Sequence, residues 1–587
     1  MLISFSVEAT DDAIDWQVWS KSTFEKAKKL NRPMLINVGH EGCMACRWMK
    51  DDTFTDAGIV ELVNKHFIAI QVDSEMQPDI GERYSDWAWP ATAFNRPDGT
   101  QVLAIRGNRK PAGFREILNK IIEGHQAGTL EADRLAPYGA PEKPRDTPIS
   151  IIRDQVRGQL DNNFDDKKGG WKGRSKILEY SEPYLDYAVR AHLENDQIAR
   201  ERFLKTANGF LQHIDKVWGG VFYESFGNWD DMIVEKRLET QAAALQLFSV
   251  AYKLTGDKRF SHALGEIQRY MNSTLRSDSG LYFATQQANI PSRPQDRLLK
   301  DYYKLDDKGR RAIGIPTIDR SLYTDLNARV ISGFVMAYEM TGNPSYLSTA
   351  IGIADTLIRV RKTKAGSFIQ FRANAEFRQE ERIHKVVEDD TVYLRPHGYL
   401  GLAFIDLHRA TANEYWRREA EGIVTVLKGL QDVNIGGFFG KQDQFAPRKP
   451  LEDNAVAARF MYLMGVLTKK EEYRIDAERA IKASAAKNIV AREGRITGNL
   501  ALTTELLAAG YVEFSIVGDV NDSAAQALYD SARQVYEPRK VQHYESPGRY
   551  PKRDKPTLYI CNEVACSVPI YKAKNVAAEA QKFISNI

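Results

Sequence analysis

The chain has 587 residues, 43% of them hydrophobic and 27% charged, and a formal net charge of +3. That length exceeds what one core supports, so two or more domains are expected. The charge lies in no long basic run or aromatic-interleaved basic patch, which argues against a nucleic-acid partner. No stretch approaches the roughly 20 apolar residues that span a bilayer, so no membrane partner is expected. Residues 1–5 are too short for a secretory leader and lack a charged start. A cytoplasmic location is therefore expected, with the periplasm as the alternative if residues 4–9 are the stump of a longer leader. Four cysteines fall in two close pairs, Cys43/Cys46 and Cys561/Cys566, too sparse for a disulfide-stapled scaffold.

In chain order, residues 32–38 (RPMLINV) predict a buried strand, followed by a glycine-containing turn at residues 39–42. The sequence Cys43-Met44-Ala45-Cys46 then opens a helix. Two thiols in the first turn of a helix after a strand is the layout of a dithiol redox site. The helix N-terminus favours a thiolate on Cys43, and His40, Arg47 and Lys50 add positive residues nearby. Cys43 is expected to be the more exposed thiol. Residues 67–73 predict a second strand, Trp89-Pro90 precedes a third, and residues 97–100 (PDGT) make a turn into a fourth at 101–105. A helix over 114–123 closes the unit. C-x-x-C also serves as half a zinc site or as an idle pair in a binding module, and those alternatives stay open.

This order resembles the thioredoxin fold, in which a cis-proline faces the dithiol. The resemblance places Pro90 there and makes Cys43, Cys46 and Pro90 the catalytic set. Asp15-Trp16, Trp19, the CMAC site, Phe54, Val72-Asp73, Pro78-Asp79-Ile80 and Trp89-Pro90 narrow it to the thioredoxin-like module of the DUF255 family, which includes YyaL-type and spermatogenesis-associated protein 20-like proteins. Met44 and Arg47 stand where that family often has histidines. Asn37 stands where many thioredoxins bury an aspartate, so a carboxylate relay from that position is absent.

Residues 136–148 (APYGAPEKPRDTP) predict a linker, and 131–148 bound it. Beyond them, apolar residues recur at three- and four-residue spacing over 181–194, 198–217, 238–254, 261–275, 322–340, 345–359, 394–410, 415–427, 454–467, 473–484 and 499–512, which predicts paired helices. Glycine before aromatics recurs at the joins: Gly170-Trp171, Gly220-Val221-Phe222-Tyr223, Gly280-Leu281-Tyr282-Phe283 and Gly437-Phe438-Phe439. Such recurrence suggests hairpins around one axis. It resembles the (α/α)6 toroid of six-hairpin glycosidases and N-acylglucosamine 2-epimerases, which is also the second domain of DUF255 proteins. Trp229 with Glu235-Lys236, Glu388-Asp389, and Gly436-Gly437-Phe438-Phe439 match that family's segments, while Ile233 and Thr240 replace its ionisable residues. The tail has strand character at 513–519 and 557–561 with a helix at 524–535. Its Cys561/Cys566 pair resembles the family's C-terminal signature.

The expected architecture is multidomain α/β plus all-α: a thioredoxin-like domain (1–130), a linker (131–148), an (α/α)6 toroid (149–512), and an α/β tail (513–587) packed on the others. Candidate cavity acids are Glu224, Asp230, Asp231, Glu235, Asp325, Glu388, Asp389, Asp390, Glu452 and Asp453, with His384 and His397 flanking one cluster. Glu235, Asp389 and Glu388, with Trp229, Trp171, Tyr223 and Phe438, are the chosen cavity set. Cys561 and Cys566 are buried structural thiols, a second redox pair, or half of a four-thiolate zinc site shared with Cys43/Cys46. No Walker A loop, dinucleotide fingerprint or H-E-x-x-H occurs, so neither cofactor nor metal is expected. The expected function is a thiol–disulfide oxidoreductase domain joined to a toroid that binds a carbohydrate or protein ligand, with a thiol/disulfide partner protein or reductase. The alternatives are a carbohydrate-active enzyme of glycosidase or epimerase type with an accessory thioredoxin-like module, and a non-catalytic scaffold.

Overall fold

The computed structural model describes residues 13–173, 175–292, 299–379, 382–443, 445–494, 497–545, 548–551 and 553–585. In the first domain α1 (Lys21–Leu30), β1 (Met34–Gly39), α2 (Met44–Trp48), α3 (Ala57–His66), β2 (Ile68–Asp73), α4 (Pro78–Tyr84), β3 (Ala91–Asn95), β4 (Gln101–Arg106) and α5 (Pro111–Ala127) follow one another. The sheet order is β2-β1-β3-β4, with β1 parallel to β2 and antiparallel to β3. Every residue of β1 is buried because the sheet is covered on both faces. Leu35 packs with Phe54, Phe94 and Phe114 on one side. Met34, Ile36 and Val38 pack with Trp19, Tyr84 and Trp87 on the other. A parallel bridge from Gln17 to Ile70 extends the sheet beyond β2. This is the thioredoxin-like arrangement, and the Trp89–Pro90 bond is cis.

Residues 131–148 hold no helix or strand. They are strapped down rather than loose. Tyr138 lies under the Arg448 guanidinium and donates to Glu493, and Arg145 donates to the Ala483 carbonyl.

Among the described residues, twelve helices then build the toroid. The inner ring is α7 (Glu182–Leu193), α9 (Leu238–Thr255), α12 (Thr324–Thr341), α14 (Leu394–Thr411), α16 (Leu451–Thr468) and α19 (Gly498–Ala509). Each packs on the next, and α19 packs back on α7. The outer helices are α6 (Ile149–Asn163), α8 (Gln197–Phe210), α10 (Lys258–Tyr270), α13 (Pro344–Arg361), α15 (Glu414–Gly429) and α17 (Glu471–Ser484). Two short helices, α11 (Asp307–Ile313) and α18 (Lys487–Glu493), lie in the connections. Inner helices are buried around most of their circumference, so their sequences are apolar on all sides, whereas outer helices are amphipathic. The spacing analysis did not single out α6, whose buried stripe is only Ile152, Val156 and Leu160. It pairs with α19 and closes the ring.

Three of the four glycine–aromatic joins share a device that the sequence did not reveal. Lys176, Lys236 and Lys449 are buried, and each donates to an aspartate that opens the turn, Asp165, Asp215 and Asp432, at 2.9, 2.7 and 2.8 Å. Each also donates to the first glycine's carbonyl, at Gly169, Gly219 and Gly436. The paired glycines have positive φ, and at Gly220 a β-carbon would lie 2.4 Å from the Tyr270 ring. This turn drives the following aromatic into the interhelical core.

The tail forms a third unit. A strand at Val512–Val517 lies between a parallel strand, Lys540–Tyr544, and an antiparallel one, Thr557–Cys561, with helices α20 (Ser523–Arg533) and α21 (Val576–Ile584) alongside. The Lys540–Tyr544 strand was not predicted. No helix among the described residues is long and apolar enough to cross a membrane.

Candidate functional site: a dithiol facing the toroid mouth

The two α/β units sit on opposite ends of the toroid. Inner helices present their N-termini to the thioredoxin-like domain: Leu451 N donates to Glu82, and Arg448 pairs with Glu82 at 2.8 Å. Their C-termini meet the tail, where Tyr529 donates to the Arg409 carbonyl and Lys469 pairs with Glu545. An 18-residue inner helix is about 27 Å long, so Cys43/Cys46 and Cys561/Cys566 are separated by the depth of the ring. Each pair is its own disulfide. A four-thiolate zinc site shared by the pairs is therefore ruled out. Cys561 is buried and accepts from or donates to Tyr550, while Cys566 is exposed.

Cys43 caps α2, and its sulfur accepts from Cys46 N at 3.0 Å. The helix continues through a π-helical turn at Met49–Thr53. Cys43 and Cys46 are only 5% and 3% exposed, so the expected contrast in exposure is slight. They differ in surroundings. Cys43 lines a cavity of about 570 Å³ between the domains, whose wall also includes Trp89, Tyr180, Tyr223, Glu235, Arg237, Arg395, Glu452 and Glu493. It also lines a smaller cavity walled by Arg47, Glu235 and Gln287. Cys46 faces inward.

Glu235 joins the two domains at the dithiol. Its carboxylate accepts from Met44 N at 3.0 Å and is held by Arg237 at 2.9 and 2.7 Å. The positive surroundings expected for Cys43 are mostly committed elsewhere. Burial, with Arg237 and His384 nearby, pushes the His40 imidazole well below its ordinary value, so it is neutral. Lys50 donates to the Arg382 carbonyl and Arg47 to Gln287.

A strap at residues 382–385 reaches from the toroid into the thioredoxin-like domain. The Glu41 carboxylate accepts from Ile383 N, His384 N and His384 Nδ1. Burial pushes Glu41 up, but Arg382 and His384 more than offset this and hold it at about 2. Arg382 pairs with Glu41, Asp73 and Asp319. Glu41, Asp73 and His384 place ligand atoms within 4.8 Å of one another, but the guanidinium already supplies the positive charge, so a cation has no role there. Removing one partner from such a buried network costs about 3–5 kcal/mol. Asn37 donates to Thr92 Oγ1 across the sheet.

Of the chosen cavity set, Glu235 and Tyr223 line the chamber. Asp389 and Glu388 do not; they fold onto their own loop, accepting from Thr391 N and Ala373 N. Trp171 is buried against Tyr184, Phe438 is fully buried, and Trp229 packs on Phe210. Trp171 and Phe438 are core because the lysine-stapled turns point them inward, and Trp229 is held by its indole N–H on the Lys168 carbonyl, so no aromatic platform for a ring-shaped ligand forms from them. His384 and His397 do not act as a pair across the chamber. His397 Nε2 accepts from Phe368 N, and burial pushes its imidazole down to about 4. The chamber's other acids were either candidates, such as Glu224 and Glu452, or unnoticed, such as Glu75, Glu82, Glu179 and Glu493. Burial, then Glu182, pushes Glu452 up to about 8; burial, then Glu82, does the same to Glu493. Both are protonated near neutrality. Sequence offered no signal for Glu493, which enters the wall only through α18.

Residues 4–132 match the family described as Thioredox_DsbH, protein of unknown function, DUF255. An uncharacterized Caenorhabditis elegans protein, B0495.5, is 22% identical over 99% of this chain and 96% of its own length. Spermatogenesis-associated protein 20 of Mus musculus is 26% identical over 47% of this chain and 39% of that protein, so the match spans about two fifths of that relative. Among solved structures, a sugar epimerase from a ruminal bacterium is similar over 62% of this chain and 99% of its own, at 14% identity and a TM-score of 0.47. Cellobiose 2-epimerase from Bacillus thermoamylovorans is similar over 57% and 85%, at 10% identity and a TM-score of 0.43. Residues 4–132 thus carry the match to the DUF255 family, and in this chain that thioredoxin-like domain is joined to an (α/α)6 toroid.

Proposed function

We propose that the protein is a thiol–disulfide oxidoreductase whose dithiol acts on a ligand held in the chamber at the toroid mouth. The observation that carries this reading is that Cys43, at the start of α2, lines a cavity whose walls are shared between its own domain and the toroid. A cavity of about 570 Å³ is in the range of small-molecule sites. Cys43 attacks the substrate disulfide, Cys46 resolves the mixed disulfide, and two electrons pass from the dithiol to the substrate disulfide, which leaves as two thiols. A thioredoxin-type protein or other dithiol re-reduces Cys43–Cys46.

Enclosure sets the substrate class. With both sulfurs under a tenth exposed, the broad face of a folded protein does not reach them. A small polar disulfide or an extended segment does. Arg237 and Arg395, the Tyr223 hydroxyl and protonated Glu452 and Glu493 supply hydrogen-bond donors for hydroxyl- or carboxylate-bearing groups. A carbohydrate moiety suits that lining.

The test is redox titration of the full chain in dithiothreitol buffers, with thiol trapping and mass spectrometry. Reversible two-electron cycling of Cys43–Cys46, and capture of a substrate on Cys43 in a Cys46→Ser variant, are expected. A disulfide that stays closed until the protein unfolds would refute the reading.

A further inference from the structure

We propose that His384, delivered by the toroid, is the proton acceptor for Cys46, completing a Glu41–His384–Cys46 relay across the domain boundary. The inference rests on the redox reading above. Resolution of a mixed disulfide needs Cys46 as a thiolate, and a buried thiol in apolar surroundings gives up its proton reluctantly. Asn37 offers no carboxylate for the task and is already bonded to Thr92.

The geometry of residues 39, 46 and 384 supplies the acceptor. The point where a β-carbon on Gly39 would sit lies 2.7 Å from Cys46 Sγ and 3.1 Å from His384 Nε2. Glycine leaves that point unoccupied, so the Cys46 sulfur and the His384 imidazole both border the same small gap. His384 Nδ1 is 3.1 Å from Glu41 Oε1. Glu41 is held ionised by Arg382 and by two backbone N–H groups of the strap. A carboxylate on Nδ1 fixes the proton there and leaves the Nε2 lone pair free. Nε2 is buried and has no hydrogen-bond partner while the sulfurs are joined. An orphaned buried acceptor costs free energy; in the reduced state the Cys46 S–H can satisfy it.

The other charged or titratable groups around His384 include His40, neutral through burial, Arg237 beyond it, Arg382 with Asp73 and Asp319, Lys50 on the Arg382 carbonyl, and Lys385, which follows in the strap and reaches the Trp16 carbonyl. None of them occupies the space between Nε2 and Sγ. In the resolving step the Cys46 proton passes to His384 Nε2, and Cys46 Sγ attacks Cys43 Sγ. The Cys43–substrate bond breaks and the substrate leaves as a thiolate, which takes a proton from solvent or from the imidazolium. Glu41 stabilises the imidazolium while it lasts. The reverse sequence serves oxidation of a substrate dithiol.

The experiment uses the reduced full chain, with Cys561→Ser and Cys566→Ser present so that only the first pair reports. Stopped-flow mixing with 5,5′-dithiobis(2-nitrobenzoate) separates the first thiolate release, by attack of Cys43, from the second, by attack of Cys46. His384→Asn can still donate to Glu41 but lacks the base. Gly39→Ala keeps the histidine and puts a methyl group in the gap. Both should slow the second release relative to the first by about 100-fold or more at neutral pH. Both should also lose the histidine inflection in its pH profile, so that the rate rises only as the Cys46 thiol itself ionises. A second release with the wild-type rate and pH profile in both variants overturns the proposal. Equal slowing of both releases with an unchanged pH profile overturns it too, since that marks a structural role. Absence of any second release from the wild-type chain instead overturns the redox reading beneath it.

Discussion

Glu235 sits where its charge competes with the Cys43 thiolate. Its carboxylate takes the Met44 N–H at 3.0 Å, and the same helix start favours the thiolate. Replacing it by glutamine keeps the shape and the acceptor oxygen but removes the negative charge. A carboxylate at a partly buried helix N-terminus is worth up to about 2 kcal/mol. Arg237, held on the same carboxylate at 2.9 and 2.7 Å, screens part of that charge in the wild type. In the variant Arg237 keeps Glu239 at 3.9 Å but loses this counter-charge and adds positive potential. Both changes favour the thiolate. Taking about 1 kcal/mol as the net effect, the Cys43 pKa should fall by about 0.7 unit in Glu235→Gln, at 1.36 kcal/mol per unit. The assay is the pH dependence of iodoacetamide alkylation of Cys43 in the reduced chain, read by mass spectrometry, with thiolate absorbance as a second measure. An unchanged or raised pKa would show that Glu235 does not sense the sulfur, and that the domain contact at α2 is packing alone.

Asp215→Asn should lower the toroid's stability by about 3–5 kcal/mol, because it leaves Lys236 and Arg310 buried without their shared counter-charge. Thermal and urea unfolding would show this, and a wild-type midpoint would sink the claim that the staple matters. Burial pushes Asp215 up, but Lys236 and Arg310 more than offset it and hold it at about 2 against an ordinary 3.8. Its contribution is therefore complete above pH 3.8 and lost as pH falls through about 2, so variant and wild type should converge over that window. Cys566→Ser should weaken the tail by about 2 kcal/mol, the entropy value for so short a loop, and leave the Cys43–Cys46 midpoint potential unchanged. A shifted potential would mean that the tail disulfide and the Cys43–Cys46 pair are thermodynamically coupled.

Much of the fold was legible because its signals are local. A run such as 34–38, buried on both faces, can be little other than a central strand, and Cys43-x-x-Cys46 behind it marks the helix start. Eleven toroid helices announced themselves by spacing. The exception, α6, carries only three buried apolar residues, with Ile151 turned to solvent, too thin a stripe to stand out. The glycine–aromatic joins were visible, but their meaning was not. Whether Trp171 or Phe438 lines a cavity depends on which way the turn points it, and that is set by Lys176 and Lys449, whose burial no local pattern discloses. The site itself lies further from the sequence. Glu235 meets Met44, and His384 meets Glu41 and the open face of Gly39, across separations of 191 and 343 residues. By itself the sequence determined which residues could do redox chemistry and which elements carry them. Only the tertiary structure decided that the dithiol is closed in by the toroid, because that outcome depends on how two separately coded surfaces dock, through ion pairs whose partners have no fixed spacing along the chain.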